Sequence, residues 1–173
     1  MFKHLTKSII FLLFTTNLFS GQEVFIYSKN TFNINGNRDI SLSGKKYIVI
    51  DLDDGIGHFY AFNKNGSLYL KGIATGGTPS KTPTPEGIFN IIQMKKYHMS
   101  TLYPADDGNN NMNDMLKITK SGVALHKGSI DYYSHGCVHI EPSKSGILFN
   151  WADSNTKVVV TRDYFKEFMD SFN

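Results

Sequence analysis

The chain has 173 residues, 40% of them hydrophobic and 19% charged, enough for one domain with a core of its own. No Gly/Pro period, heptad series or long charge block occurs, which excludes collagen, coiled coil and wholesale disorder. The formal net charge is +3, and the segment 1–20 holds Lys3 and Lys7 but no acid, so the remainder carries +1; so nearly neutral a domain is a poor ligand for nucleic acid.

Met1 to Lys7 carries Lys3, His4 and Lys7, the run Ile9 to Phe14 is apolar, and Ser20 and Gly21 are small. A charged start, a short apolar middle and a small-residue exit are the parts of a secretory signal peptide. The alternative is an amphipathic N-terminal helix. The apolar run is far below the ~20 residues of a membrane span, and no cysteine stands nearby to take a lipid. Residues 1–20 are therefore expected to be removed on export to the periplasm or cell wall, leaving no stable membrane anchor.

Residues 21–44 read as a lead-in, with a short apolar run at Val24 to Tyr27 and a loop over the Asn-, Gly- and Ser-rich Thr31 to Ser43. Tyr47 to Leu52 is β-branched and reads as a strand stopped by Asp53-Asp54-Gly55. Phe59 to Phe62, the turn Asn63-Lys64-Asn65-Gly66 and Leu68 to Leu70 read as a hairpin, continuing to Thr75 and halted by Gly76-Gly77. Pro79, Pro83 and Pro85 forbid a helix over Thr78 to Glu86. Gly87 to Ile92 returns to strand. Lys95 to Asp114 has no element of its own, and Lys95 to Asn113 is expected to form a mobile lid over the groove, with a variable surface insertion as the alternative. Leu116 to Thr119 and Val123 to His126 read as short strands, Pro142 to Ala152 as a helix, Lys157 to Arg162 as a buried strand and Tyr164 to Phe172 as a short terminal helix. Many short strands with Gly/Pro punctuation make a mostly β domain.

Chemistry gathers around the one cysteine, Cys137, which has no intrachain partner for a disulfide. His126, His135 and His139 all lie within eleven residues of it. A free thiol titrates near pH 8.5, and a neighbouring imidazole can take its proton and leave a nucleophilic thiolate. Gly136 lets backbone approach a reacting carbonyl closely, and amides there could stabilise an oxyanion. Zinc on His126, His135, Cys137 and His139 is an alternative whose ligand spacing is only partly right. An inert buried cysteine among structural histidines is another.

The run Ser134-His135-Gly136-Cys137-Val138 resembles the signature of the L,D-transpeptidase (YkuD-type) catalytic domain. Ser121 to His126 is similar to the segment that brings that family's second catalytic residue. Gly76-Gly77-Thr78-Pro79 and Thr82 to Phe89 resemble its glycine turn and Thr-Pro-x-Gly-x-Phe strand. Lys95 to His98, Leu102-Tyr103 and Met115 to Thr119 resemble a subgroup with a short gap between the catalytic residues. The resemblance covers Tyr47 to Thr161, with a catalytic domain over 45–163 and a tail or short helix over 164–173.

The resemblance implies a YkuD-like mixed β-sandwich with a few short helices, acting on peptidoglycan stem peptides without metal or organic cofactor. Cys137 would be the nucleophile, His126 its base and later acid, and His135 a shaper of the pocket. Amides at Gly136 and Cys137 would hold the oxyanion. Ser134, His139, Tyr97, His98 and Tyr103 would touch substrate. In one departure, His139 stands where the family usually has arginine, and histidine cannot reproduce that permanent bidentate grip on a carboxylate. Resolution of the acyl-enzyme by water would make the chain an L,D-carboxypeptidase. A cysteine endopeptidase of another fold and a catalytically silent wall-binding module are the remaining rivals, and intact Cys137 and His126 argue against the last. Nothing in the sequence sets the oligomeric state.

Overall fold

The computed structural model describes residues 31–34, 38–42, 44–52, 56–100, 110–162 and 165. The expected signal peptide, the Val24 to Tyr27 run, Tyr103 and most of the terminal helix lie outside the described residues. Among the described residues there are eleven strands and one helix. In chain order they are β1 (Thr31–Ile34), β2 (Arg38–Ser41), β3 (Tyr47–Asp51), β4 (Ile56–Phe62), β5 (Leu68–Thr75), β6 (Gly87–Asn90), β7 (Gln93–Lys95), β8 (Met115–Lys117), β9 (Ala124–Lys127), β10 (Val138–Ile140), α1 (Pro142–Trp151) and β11 (Lys157–Thr161). No helix among them is long and apolar enough to cross a membrane.

Nine strands make one mixed sheet in the order β6-β11-β3-β4-β5-β10-β9-β8-β7. The β3–β11 and β9–β10 pairs are parallel and the others antiparallel. The sheet curls, as expected for the fold class. Ile48, Ile50, Phe59, Val158 and Val160 share a core with Leu116, Leu125, Val138 and Ile140 from the other half and with Leu148 of α1. Val49 and Val159 point the opposite way, into a second cluster with Tyr60, Phe62 and Phe165. Burial on both faces explains why β3 and β11 read as unbroken apolar runs rather than as alternations. Each such side chain contributes ~1.5–3 kcal/mol on burial.

Helix α1 starts at Pro142, whose missing N–H costs nothing in the first turn. Its N-cap Glu141 turns its carboxylate outward, accepting the Ile73 N–H at 3.0 Å and pairing with Lys144 at 2.9 Å. That stitches the helix start to β5. Ser145 and Leu148 are its buried positions.

Three sequence expectations change, and one strand has no sequence expectation at all. Thr31 to Ser43 is not a loop: β1 and β2 pair, Phe32 opposite Ile40. Its polar composition masks the short alternations Thr31-Phe32-Asn33-Ile34 and Asp39-Ile40-Ser41. Gly87 to Ile92 is not one strand: β6 and β7 sit at opposite edges of the sheet, and buried Ile91 carries the crossover through the core. Lys95 to Asp114 is not structureless. Beyond β7 and β8 its arms stay paired, through a Met99–Asn111 bridge and the bonds Met112 N–H to His98 O (2.8 Å) and Ser100 N–H to Asn110 O (2.9 Å). Finally, Val138–Ile140 is a strand that three residues were too few to announce.

Candidate active site

Strands β9 and β10 run parallel with Leu125 opposite Val138 and His126 opposite His139. Leu125, Val138 and Ile140 enter the main core. Strand alternation therefore turns Ala124, His126, Cys137 and His139 to the other face. There the His126 and His139 rings meet edge to face, centroids 5.0 Å apart. Cys137 is half-buried against Met112, Met115 and Ala124. Its Sγ lies 3.9 Å from Gly122 O. Among the described residues no hydrogen bond joins it to His126.

His126 is 5% exposed, and its Nδ1 lies 2.9 Å from Lys127 O. A carbonyl only accepts, so Nδ1 carries the proton and Nε2 is left as an acceptor. Burial lowers its pKa to about 4; the Lys127 carbonyl opposes the shift, and His139 and His98 add to it. The ring is thus neutral at ordinary pH. Burial pushes the Cys137 thiol up, partly offset by the Ala124 N–H. The resting pair is a neutral thiol and a neutral imidazole, not a preformed thiolate–imidazolium pair.

The loop 134–137 is braced from behind. Gly136 has φ +113°, a conformation for glycine. Ser134 is 6% exposed; its Oγ accepts the Gly136 N–H at 3.0 Å and donates to Cys137 O. The Gly76–Thr78 backbone lies alongside, Ser134 N–H donating to Gly76 O (2.9 Å) and Thr78 N–H to Ser134 O (3.3 Å). The two backbones touch: a Cβ on Gly77 would stand 1.8 Å from Thr82 O and 2.7 Å from Gly136 Cα. Thr84, 1% exposed, accepts the Gly77 N–H at 2.9 Å and donates to Gly136 O at 3.0 Å.

The structure brings Cys137, His135 and His98 together on one groove of about 410 Å³, with Ser100, Met112 and Gly122. His98 reaches it from the β7 arm of the extended hairpin. Ser134 does not reach the groove, because its hydroxyl is spent inside the loop. Tyr97 is 79% exposed and off the groove wall. The Gly136 N–H, expected to help hold an oxyanion, is committed to Ser134. His139 is a wall behind His126: its Nδ1 donates to Ser129 O at 2.8 Å, its ring abuts Tyr132 at 5.9 Å, and a Cβ on Gly128 would come within 2.5 Å of its Cγ. Burial lowers its pKa, opposed by the Ser129 carbonyl, and His135 adds to the lowering. Among the described residues, no three His, Cys, Asp or Glu side chains converge as metal ligands.

Sequence reasoning passed over two groups. Thr84 sits in a proline-flanked stretch that reads as punctuation. Asp114 anchors the hairpin base, with φ +59°, an ion pair to Lys96 and the Ser145 hydroxyl donating to it at 2.8 Å. An isolated Asp beside Asn-rich chain gives no signal of such a role.

Residues 45–160 match the family model of the L,D-transpeptidase catalytic domain, YkuD. Among solved structures, Mycobacterium tuberculosis L,D-transpeptidase 1 is similar at 22% identity and a TM-score of 0.57, over 68% of this chain and 62% of that one. An L,D-transpeptidase from Mycobacterium smegmatis is similar at 22% identity and 0.58, over 68% and 58%. A mutant Enterococcus faecium L,D-transpeptidase is similar at 24% and 0.56, over 69% and 51%. At these identities the likeness is one of fold, and this chain spans between half and two-thirds of the length of those structures. No curated protein matches the chain.

Proposed function

The chain belongs to the L,D-transpeptidase catalytic domain family, and from that premise we propose that it is an exported acyltransferase of the cell wall with Cys137 as nucleophile. The observation that carries the reading is the buried His126 ring, its Nδ1 proton held on Lys127 O and its Nε2 left as an acceptor, on the same sheet face as a thiol that opens on a groove.

A stem-peptide carbonyl enters the groove between Cys137 and the hairpin arm that bears His98. As Sγ attacks, the thiol proton moves to His126 Nε2, and negative charge develops on the carbonyl oxygen. With the Gly136 N–H engaged by Ser134, the Cys137 N–H is the donor for that oxyanion. Collapse breaks the C–N bond, and His126 returns the proton to the departing amine. A thioester remains on Cys137. A second amine attacks it, loses its proton to His126 and takes the acyl group, and the thiol is reprotonated. Water in place of that amine would give the carboxypeptidase. His135 contacts substrate from the exposed lip of the groove. The charged start and apolar middle of residues 1–20 support export to the periplasm or cell wall.

The test is incubation of the mature protein with purified muropeptides, followed by intact mass and fragmentation. Cross-linked products are expected from wild type. Cys137→Ala and Cys137→Ser should yield none while melting like wild type. Conversion by Cys137→Ala would end the covalent reading, and hydrolysed products alone would assign the carboxypeptidase.

A further inference from the structure

We propose that Thr84 is a positioning residue that aims the Cys137 N–H at the oxyanion, an inference that rests on the acyl-transfer reading above. Its hydroxyl is the buried link between Gly77 N–H and Gly136 O, at 2.9 and 3.0 Å, with Cys137 O further off at 3.4 Å. The peptide between Gly136 and Cys137 is planar and trans, so its C=O and N–H point in opposite directions. Tying the carbonyl back to Thr84 therefore turns the Cys137 N–H away from Thr84, out of the braced side of the loop. Because Gly136 lacks a Cβ and sits at φ +113°, its peptide is the easiest in the loop to flip. A flip would bury the N–H and present the Gly136 carbonyl to an oxygen that becomes negative. The Thr84 bond opposes that flip, and Ser134 occupies the neighbouring Gly136 N–H.

Thr84 is itself fixed. Pro83 and Pro85 restrict the backbone on both sides. Arg162 donates to Thr84 O at 3.1 Å while pairing with Glu86 at 2.6 Å. The hydroxyl touches neither the groove nor the thiol, so its effect on catalysis runs through one peptide plane.

Two reagents at Cys137 separate this role from a general structural one. A carbapenem acylates: the S–C bond forms at its carbonyl, the ring C–N bond breaks, and the thiol proton goes to that nitrogen through His126. Iodoacetamide alkylates: S–C forms at saturated carbon, iodide leaves, the proton goes to solvent, and no oxyanion arises. Thr84→Val and Thr84→Ala should slow acylation by about 10–100-fold, since outright loss of an oxyanion donor costs ~10²–10³. Alkylation should stay within about twofold, and Thr84→Ser should bring acylation back to within a few-fold of wild type. Melting temperatures are recorded for all three, and if Thr84→Val does not fold, Thr84→Ala carries the comparison. Parallel loss of both reactions, wild-type acylation in the folded Val or Ala protein, or failure of serine to rescue would overturn the inference. Alkylation without acylation in wild type itself would sink the acyl-transfer reading, and this inference with it.

Discussion

Lowering the pH should destabilise this domain through His126, by an amount the buried ring sets. In the folded state its pKa is about 4, against 6.5 for a free imidazole. Between those values the unfolded chain binds more protons than the folded one, so stability rises with pH. The contribution is complete above about pH 6.5, falls as the pH drops, and is fully lost below about pH 4. Between pH 7.5 and 5 the loss is about 2 kcal/mol, from the ratio of binding polynomials at those two pKa values. For a domain of this size that is a drop of about 4–8 °C in Tm. His126→Gln keeps a donor for Lys127 O and cannot titrate. Thermal melts of wild type and His126→Gln at pH 7.5 and 5 isolate the effect, because His98 and His139, also held below their usual range by burial, remain in both. Wild type should lose more than the variant by that margin. Equal losses would refute the buried neutral ring, and with it the claim that the base is ready without prior deprotonation.

Two further outcomes follow from the same geometry. Gly77→Ala places a Cβ 1.8 Å from Thr82 O and 2.7 Å from Gly136 Cα, so the nucleophile loop must shift by an ångström or more; acylation of Cys137 should fall by about 100-fold, whereas a variant acylated at the wild-type rate would show that the two backbones need not touch. Because burial raises the Cys137 thiol above its ordinary value, its alkylation rate should keep climbing with pH beyond the range of a free thiol, with no plateau near neutrality; a plateau at neutral pH or below would reveal a resting thiolate and refute the shift.

The family was legible in the run from Ser134 to Val138 and in Ser121 to His126, because the residue types that mark it stand close together in sequence. The pairing that makes them neighbours was not. β9 and β10 are four and three residues long, too short for periodicity to declare, and their parallel register is set by core burial of Leu125, Val138 and Ile140 rather than by a turn. The apolar runs of β3 and β11 announced buried strands, but not that they lie beside each other in parallel, since that pairing joins residues about 110 positions apart. Contacts that brace the loop stayed hidden for the same reason: Thr84 and Gly77 meet Gly136 only across more than fifty residues of chain. Ser134 was assigned to substrate because a hydroxyl beside a nucleophile suits that role, and only its burial reveals the inward bonds.

The sheet has a narrow weld. Among the described residues β5 and β10 pair only at Thr75–His139 and Ala74–Ile140, and the two halves of the candidate site lie on either side of that pairing. One half supplies Cys137 and His126, the other the Gly76–Thr84 clamp that shapes the nucleophile loop. On the acyl-transfer reading, competence is thus a property of the joint rather than of either half. Because one hydrophobic cluster runs across that pairing, an opening at those few bonds would loosen the shared core and the Cys137 loop together, so on the acyl-transfer reading activity should be lost with the global melting transition on heating.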